Sequence, residues 1–152
     1  MDIRLDRDLT DHRIISLLQE HLRDMARHSP PESIHALDLD GLRRPELSFW
    51  TVWDGEDLLG CGALKQLDAA HGEIKSMRTA NAHRCRGVAA AMLRHLLDLA
   101  AARSYRRLSL ETGSMAAFEP ARRLYASFGF DFCGPFDSYV DDPNSVFMTR
   151  LL

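Results

Sequence analysis

Residues 83–90, His-Arg-Cys-Arg-Gly-Val-Ala-Ala, set two arginines, a glycine and small side chains between a strand-like run and a strongly helical one. A helix start carries about half a positive charge and several unpaired N–H groups, so Arg84 and Arg86 are unfavourable there on their own. An anion bound at the same place reverses the sign. Gly87 lets the backbone approach such a ligand, while Ala89 and Ala90 keep the first turn open. The residues read as a site for a phosphate or pyrophosphate. A solvated basic turn that happens to precede a helix accounts for them equally well. Two phosphate loops are excluded: no Gly-Lys-Ser/Thr ending is present, and Gly87 stands alone where a dinucleotide fingerprint needs three glycines.

The other residues able to do chemistry are more ambiguous. Glu73 suits a general base, but Lys75 lies two residues along the same strand and so shares its face. A paired carboxylate is a poorer base, which makes a structural ion pair a serious rival. Glu111 stands at the end of the strand in Leu-Glu-Thr-Gly, where strand ends often line a ligand crevice. It can take a proton, bind a cationic substrate group, or be an exposed strand-end charge. Tyr125 belongs to an apolar stripe with Phe118, Ala121, Leu124 and Phe128, a core position by helical spacing, although a buried hydroxyl wants a partner. His21 and His28 share a helix face too far apart for one metal, and no His-x-x-x-His pair occurs, so no metal is expected. Cys85 lies among cations and can oxidise, yet nothing marks it as a nucleophile.

These residues need a scaffold, and 152 residues suffice for one domain, 1–152, with a proper core. Hydrophobic content of 45% with 27% charged is ordinary globular composition. A net charge of −3 offers no global basic field to draw nucleic acid, whereas a local cationic loop fits a small anionic ligand. Three cysteines at unpatterned spacings favour a reduced, cytoplasmic setting. Apolar stretches are far short of a membrane span, so no membrane partner is expected.

Pattern predicts the order βααβββαβαββ. Asp2–Leu5 reads as a strand, and Thr10 or Asp11 caps a helix to about His28. A short second helix is expected over Ser33 to Leu42. Leu47–Trp53 and Leu58–Leu67 flank the hairpin signal Asp54-Gly55, and Glu73–Thr79 completes a meander. A helix over Val88–Arg103 leads to a strand at Arg107–Glu111. Pro120 and Gly129 bracket the next helix, and Phe130–Cys133 and Val146–Leu151 are the final strands. The class is α+β, a mixed sheet with helices packed on it.

Two motifs carry a resemblance. Arg-x-x-Gly-x-Ala, from Arg84 to Ala89 directly after a strand, resembles the acyl-CoA pyrophosphate loop of the GNAT superfamily of N-acetyltransferases. Ala121-Arg122-Arg123-Leu124-Tyr125-Ala126-Ser127-Phe128-Gly129-Phe130 resembles the family's Ala-x-x-Leu-Tyr-x-x-x-Gly-Phe helix and exit. Order, separation and element sequence agree from about Ile3 to Leu151. The runs Ser-Pro-Pro-Glu-Ser at 29–33, Glu-Ile-Lys-Ser-Met-Arg-Thr at 73–79 and Asp-Pro-Asn-Ser at 142–145 also look like the bacterial YsnE-like branch.

The resemblance implies a mixed, mostly antiparallel sheet with helices on both faces. It implies acetyl-CoA as co-substrate, no metal, and direct transfer in a ternary complex to the primary amine of a small molecule or amino-acid-like acceptor. A homodimer is compatible with it. Met77, Arg78, Thr79, Arg84, Cys85, Arg86, Gly87, Val88 and Ala89 would hold the cofactor, with a backbone N–H at Met77 facing the acetyl oxygen. Tyr125 would be the general acid. Glu73, fourteen residues before Gly87, takes the position of a strand glutamate that serves as base in some members. Glu111, His35 and Lys75 would face the acceptor, with the 29–44 segment and the 134–145 loop as pocket walls. One departure stands out: Phe118 occupies the position, seven residues before the motif tyrosine, where many members carry an Asn contacting the pantetheine arm. That substitution gives weight to a rival reading, a non-catalytic acyl-CoA-binding regulatory module.

Overall fold

Turn chemistry sets the first half of the sheet. A computed structural model describes residues 1–152. Strands β1 (Asp2–Asp6), β2 (Leu47–Asp54), β3 (Asp57–Gln66) and β4 (His71–Thr79) pair antiparallel in that order, with Gly55 at a positive φ in the β2–β3 turn. Helix α1 (His12–His28) intervenes after β1. Its N-cap Asp11 accepts from the Arg13 amide at 2.9 Å, and Ile14, Leu17 and Leu18 bury at helical spacing. Strand β5 (Arg107–Gly113) runs parallel to β4, which requires a crossover, supplied by helix α3 (Val88–Ala102). Beyond β5 the sheet continues with β7 (Ser145–Leu151) and then β6 (Asp131–Cys133), both antiparallel pairings, so that the return strand lies inside its own hairpin partner.

This is an α+β fold with a mostly antiparallel seven-stranded sheet and four α-helices. One face packs Leu9, Ile14, Leu17, Leu42, Phe49, Cys61 and Ala63 under α1 and the short α2 (Leu39–Leu42). The other packs Met92, Leu93 and Leu96 of α3 and Tyr125 of α4 (Glu119–Ser127) against Leu64, Ile74, Leu108, Leu110 and Met148. Burial on both sides is what keeps the middle strands apolar.

The helix expected over Ser33 to Leu42 is corrected. Pro31–Ser33 form a 3₁₀ turn, residues 34–38 are extended, and α2 is one turn restarted by Asp38, whose carboxylate accepts from the Gly41 amide at 2.8 Å. Ser33 cannot cap a helix because its hydroxyl is given to Asp142 at 2.6 Å, on a loop 109 residues away.

Two irregularities position the site. Gly62 of β3 opposes both Ser76 and Met77, a bulge in which Ser76 takes φ 55°. The pairing of β4 with β5 stops at Ile74 and Leu110, after which the strands part. At the end of β5, the Phe118 ring lies over Gly113, where a Cβ would collide with the ring. Gly113→Ala is expected to cost about 1–3 kcal/mol through overpacking. In a Phe118→Ala background the same change should add little, which a double-mutant cycle on melting curves checks.

Candidate active site

The loop after β4 reaches α3 through two left-handed residues, Cys85 at φ 62° and Gly87 at φ 79°. Gly87 is the N-cap and offers no side chain; the first bond of α3 runs from the Ala91 amide to the Gly87 carbonyl at 3.0 Å. The amides of Val88, Ala89 and Ala90 are therefore left without helical partners, and no acidic residue sits in the first turn. Such a helix start attracts an anion.

A cavity of about 530 Å³ opens at this point. Met77, Thr79, Arg84, Cys85, Gly87, Val88 and Ala89 line it together with Met92, Ala121, Leu124 and Tyr125. Most of the residues expected to hold the cofactor thus share one wall with the candidate acid. Two arginines behave differently. Arg86 is absent from the lining, and its guanidinium turns to His83 Nδ1 at 2.8 Å and Asp54 at 3.8 Å. Arg78 borders the cavity, but its guanidinium, 9% exposed, is bound by Glu20 at 2.9 Å and by Asp24 on α1. Only its backbone remains for a ligand. The bulge explains this: it inverts the alternation of β4, so Lys75 and Arg78, three apart, face the α1 side, and Met77 turns toward α3.

Tyr125 is 7% exposed, packs edge-on to Phe130 at 6.0 Å, and has its hydroxyl ionisation pushed up by burial and by nearby Glu111. The hydroxyl therefore keeps its proton at neutral pH. Glu111 and Lys75 are the first residues beyond the last paired positions of β5 and β4. Burial raises the Glu111 carboxyl to about 7, with Ser145 and Lys75 opposing and Glu73 and Asp142 adding to the rise.

Glu73 is 2% exposed and is held by two donors on one oxygen: Lys75 Nζ at 3.2 Å and the Tyr139 hydroxyl at 2.6 Å. Lys75 Nζ also donates to Tyr139 at 3.0 Å. These three side chains meet His35, Lys65 and Asp137 around a second cavity of about 310 Å³. His35 stands edge-on to Tyr139 at 5.0 Å. Its roof consists of the two segments flagged as pocket walls, latched together by Ser33 and Asp142 at 2.6 Å and by Asn144 Nδ2 on Ser33 at 3.4 Å. The Ser33 bond and the Asn144 amide hold the Asp142 carboxyl below its usual range.

The fold therefore brings Glu73, Lys75 and His35 to one cavity and Tyr125 with the phosphate loop to another, and Glu111 acts electrostatically on groups of both. Tyr139 lies in the 134–145 loop, and nothing local in the sequence signals its bond to Glu73. The Ser33–Asp142 latch joins two of the runs, 29–33 and 142–145, that carried the branch resemblance. No group of three or more His, Cys, Asp or Glu side chains is arranged to hold a metal ion, and no helix is long and apolar enough to cross a membrane.

Comparison with known proteins agrees with this geometry. The model of the acetyltransferase (GNAT) family matches residues 12–130. The chain is 60% identical over 152 residues, all of both chains, to YsnE of Bacillus subtilis (strain 168), an uncharacterised N-acetyltransferase. It is 50% identical over 145 residues to YedL of Escherichia coli (strain K12), another uncharacterised N-acetyltransferase, covering 95% of this chain and 91% of that one. A GNAT family acetyltransferase from Elizabethkingia anophelis with acetyl-CoA bound shares the fold at TM-score 0.67 and 16% identity, over 99% of this chain and 97% of that one. The chain belongs to the GNAT acetyltransferase family and is an N-acetyltransferase.

Proposed function

We propose that this chain transfers the acetyl group of acetyl-CoA directly, within a ternary complex, to the primary amine of a small acceptor. The observation that carries the reading is an uncapped helix start opening on a cavity lined by Tyr125, with Glu111, at the parting of β4 and β5, near enough to raise the ionisation of that hydroxyl. The amides of residues 88–90 and Arg84 receive the pyrophosphate, and the backbone of Met77 to Thr79 pairs with the pantetheine arm. The neighbour of this fold from Elizabethkingia anophelis has acetyl-CoA bound, which supports acetyl-CoA as the co-substrate.

For transfer, the amine must lose a proton and the departing thiolate gain one. A lysine-like amine has a reference pKa of about 10.4, so deprotonation is a real cost at neutral pH. Of the two strand carboxylates, Glu111 suits the task better. Glu73 is occupied by two donors, while Glu111 has no ion-pair partner and sits near neutrality, where a base works best. As the C–N bond forms and the C–S bond breaks, Glu111 accepts the amine proton and Tyr125 gives its phenolic proton to sulfur.

Acetyl-CoA and free coenzyme A should each raise the melting temperature, and Gly87→Glu should abolish both shifts by placing charge and bulk at the pyrophosphate. Absence of binding by the parent protein in calorimetry would refute the cofactor assignment. Tyr125→Phe should retain cofactor affinity and lower turnover roughly 10²–10⁴-fold; an unchanged rate returns Tyr125 to the core.

The two carboxylates separate by pH. In the parent, kcat/KM should fall as pH drops below about 7, the value to which burial lifts Glu111. Glu111→Gln should remove that limb and also stabilise the protein. The sign follows from linkage: a carboxyl raised on folding favours the native state when protonated, and that contribution is lost as pH rises from its unfolded value toward 7. The gain in the variant should be on the order of 2 kcal/mol above pH 7 and shrink toward pH 4.5. Glu73→Gln should keep the limb and instead cost about 3–5 kcal/mol by stranding Lys75, with Lys75→Met restoring part in the double variant. Loss of the limb in Glu73→Gln alone would transfer the base role back to Glu73.

A further inference from the structure

Lys75 and Glu111 stand at matching positions where the two strands part, yet they form no ion pair with each other. Opposite charges facing a gap ordinarily close across it. Here Lys75 is turned aside and fixed: two of its three N–H donors go to Glu73 Oε2 at 3.2 Å and the Tyr139 hydroxyl at 3.0 Å. The clasp is rigid, because Tyr139 also donates to Glu73 at 2.6 Å and is packed by Phe136 and Phe147 at 5.1 and 5.4 Å. One ammonium N–H of Lys75 has no protein partner. Glu111, buried enough to need one, has no cation bonded to it. The parted strands thus present one cation and one anion, each with unused bonding capacity, beside the transfer site.

Resting on the acetyl-transfer reading above, we propose that the acceptor is a zwitterionic α-amino acid, its ammonium received by Glu111 and its carboxylate by Lys75. Ammonium and carboxylate branch from one carbon in such a molecule, so it can bridge two opposite charges that do not reach each other. Its side chain then extends into the cavity bounded by His35, Lys65, Tyr139 and Val140. A diamine fits less well. Its second ammonium would approach Lys75 and Lys65; Glu73 is already occupied, and Asp137 is the one further acid on the lining. A carboxylate meets two cations, Lys75 and Lys65, the latter directly opposite Glu73 in the strand register, against the single further acid Asp137.

The test measures coenzyme A release by the full chain with saturating acetyl-CoA. Each α-amino acid, of either hand, is compared with its carboxamide and its decarboxylated amine; linear diamines form a further arm. Loss of a charge-assisted bond should make kcat/KM for the amide and the amine about 10–100-fold lower than for the best amino acid. Lys75→Met should erase that preference, raising KM for the amino acid while leaving KM for acetyl-CoA within about twofold. Since Lys75→Met also strands Glu73, Tyr139→Phe and the double Glu73→Gln, Lys75→Met variant control for packing, and the substrate series on the parent needs no variant at all. Amines, amides or diamines used as well as amino acids would overturn the proposal and leave acetyl transfer intact. No turnover of any acceptor, with acetyl-CoA still bound in calorimetry, would overturn the amino-acid assignment as well. Failure to bind acetyl-CoA would instead remove the reading beneath it.

Discussion

The parting of β4 from β5 is the constraint on which the molecule depends. A parallel pair cannot be joined by a tight turn, so α3 must cross between the two strands, and its N-terminus lies close to where β4 ends. Pairing then lasts only from His71 and Arg107 to Ile74 and Leu110. The bulge at Ser76 and Met77 falls immediately after, where no neighbour on the β5 side holds the strand straight. One slipped residue sends Arg78 to α1 and Met77 to the cavity. The opening, the helix start beside it and the side chains facing it share that single cause.

Around the opening, polar groups divide into those already satisfied and those left wanting. Glu73 has Lys75 and Tyr139; one terminal nitrogen of Arg78 has Glu20, Asp24 and Asn81, although its buried Nε has no partner. Removing these charges from water is costly, and each is repaid only by close partners. By contrast, the amides of residues 88–90, one N–H of Lys75 and the Glu111 carboxylate keep unused capacity. Buried or half-buried groups rarely stay that way without reason. Their presence together at one crevice is what the proposed roles rest on, an anion at the helix and a cation at Glu111.

Legibility in the sequence followed range. The phosphate loop was readable because its glycine, arginines and small residues act over a few positions, and Glu73 with Lys75 because a strand's period of two puts them together. Long-range partners left no trace. Tyr139 reaches Glu73 from 66 residues away, and Arg78 is claimed by α1 across 54 residues. The bulged residues Ser76 and Met77 are neither glycine nor proline, and Gly62 opposite them lies on another strand, so nothing local announces the bulge. The segment 33–42 misread as helix is the same lesson in local form, since its helical composition was overruled by one remote carboxylate, Asp142. Element types survived better than the contacts between them because propensity is local and burial is not.

Phe118 shows how a lost polar contact can be converted into position. Its ring fills the space over Gly113 and meets His28 edge-on at 6.3 Å, tying the end of β5 to the end of α1. Arg122 reinforces the same turn, donating to the carbonyls of Gly113 at 2.6 Å and Met115 at 3.0 Å. Together they fix where α4 begins, and α4 carries Pro120, Ala121, Leu124 and Tyr125 along the cavity wall. An asparagine there could bond a ligand but could not pack against a glycine in this way. The phenylalanine makes a rigid joint between the strand that carries Glu111 and the helix that carries Tyr125. The spacing of Glu111 and Tyr125 is therefore set by packing at Gly113 and not by any bond between the two side chains.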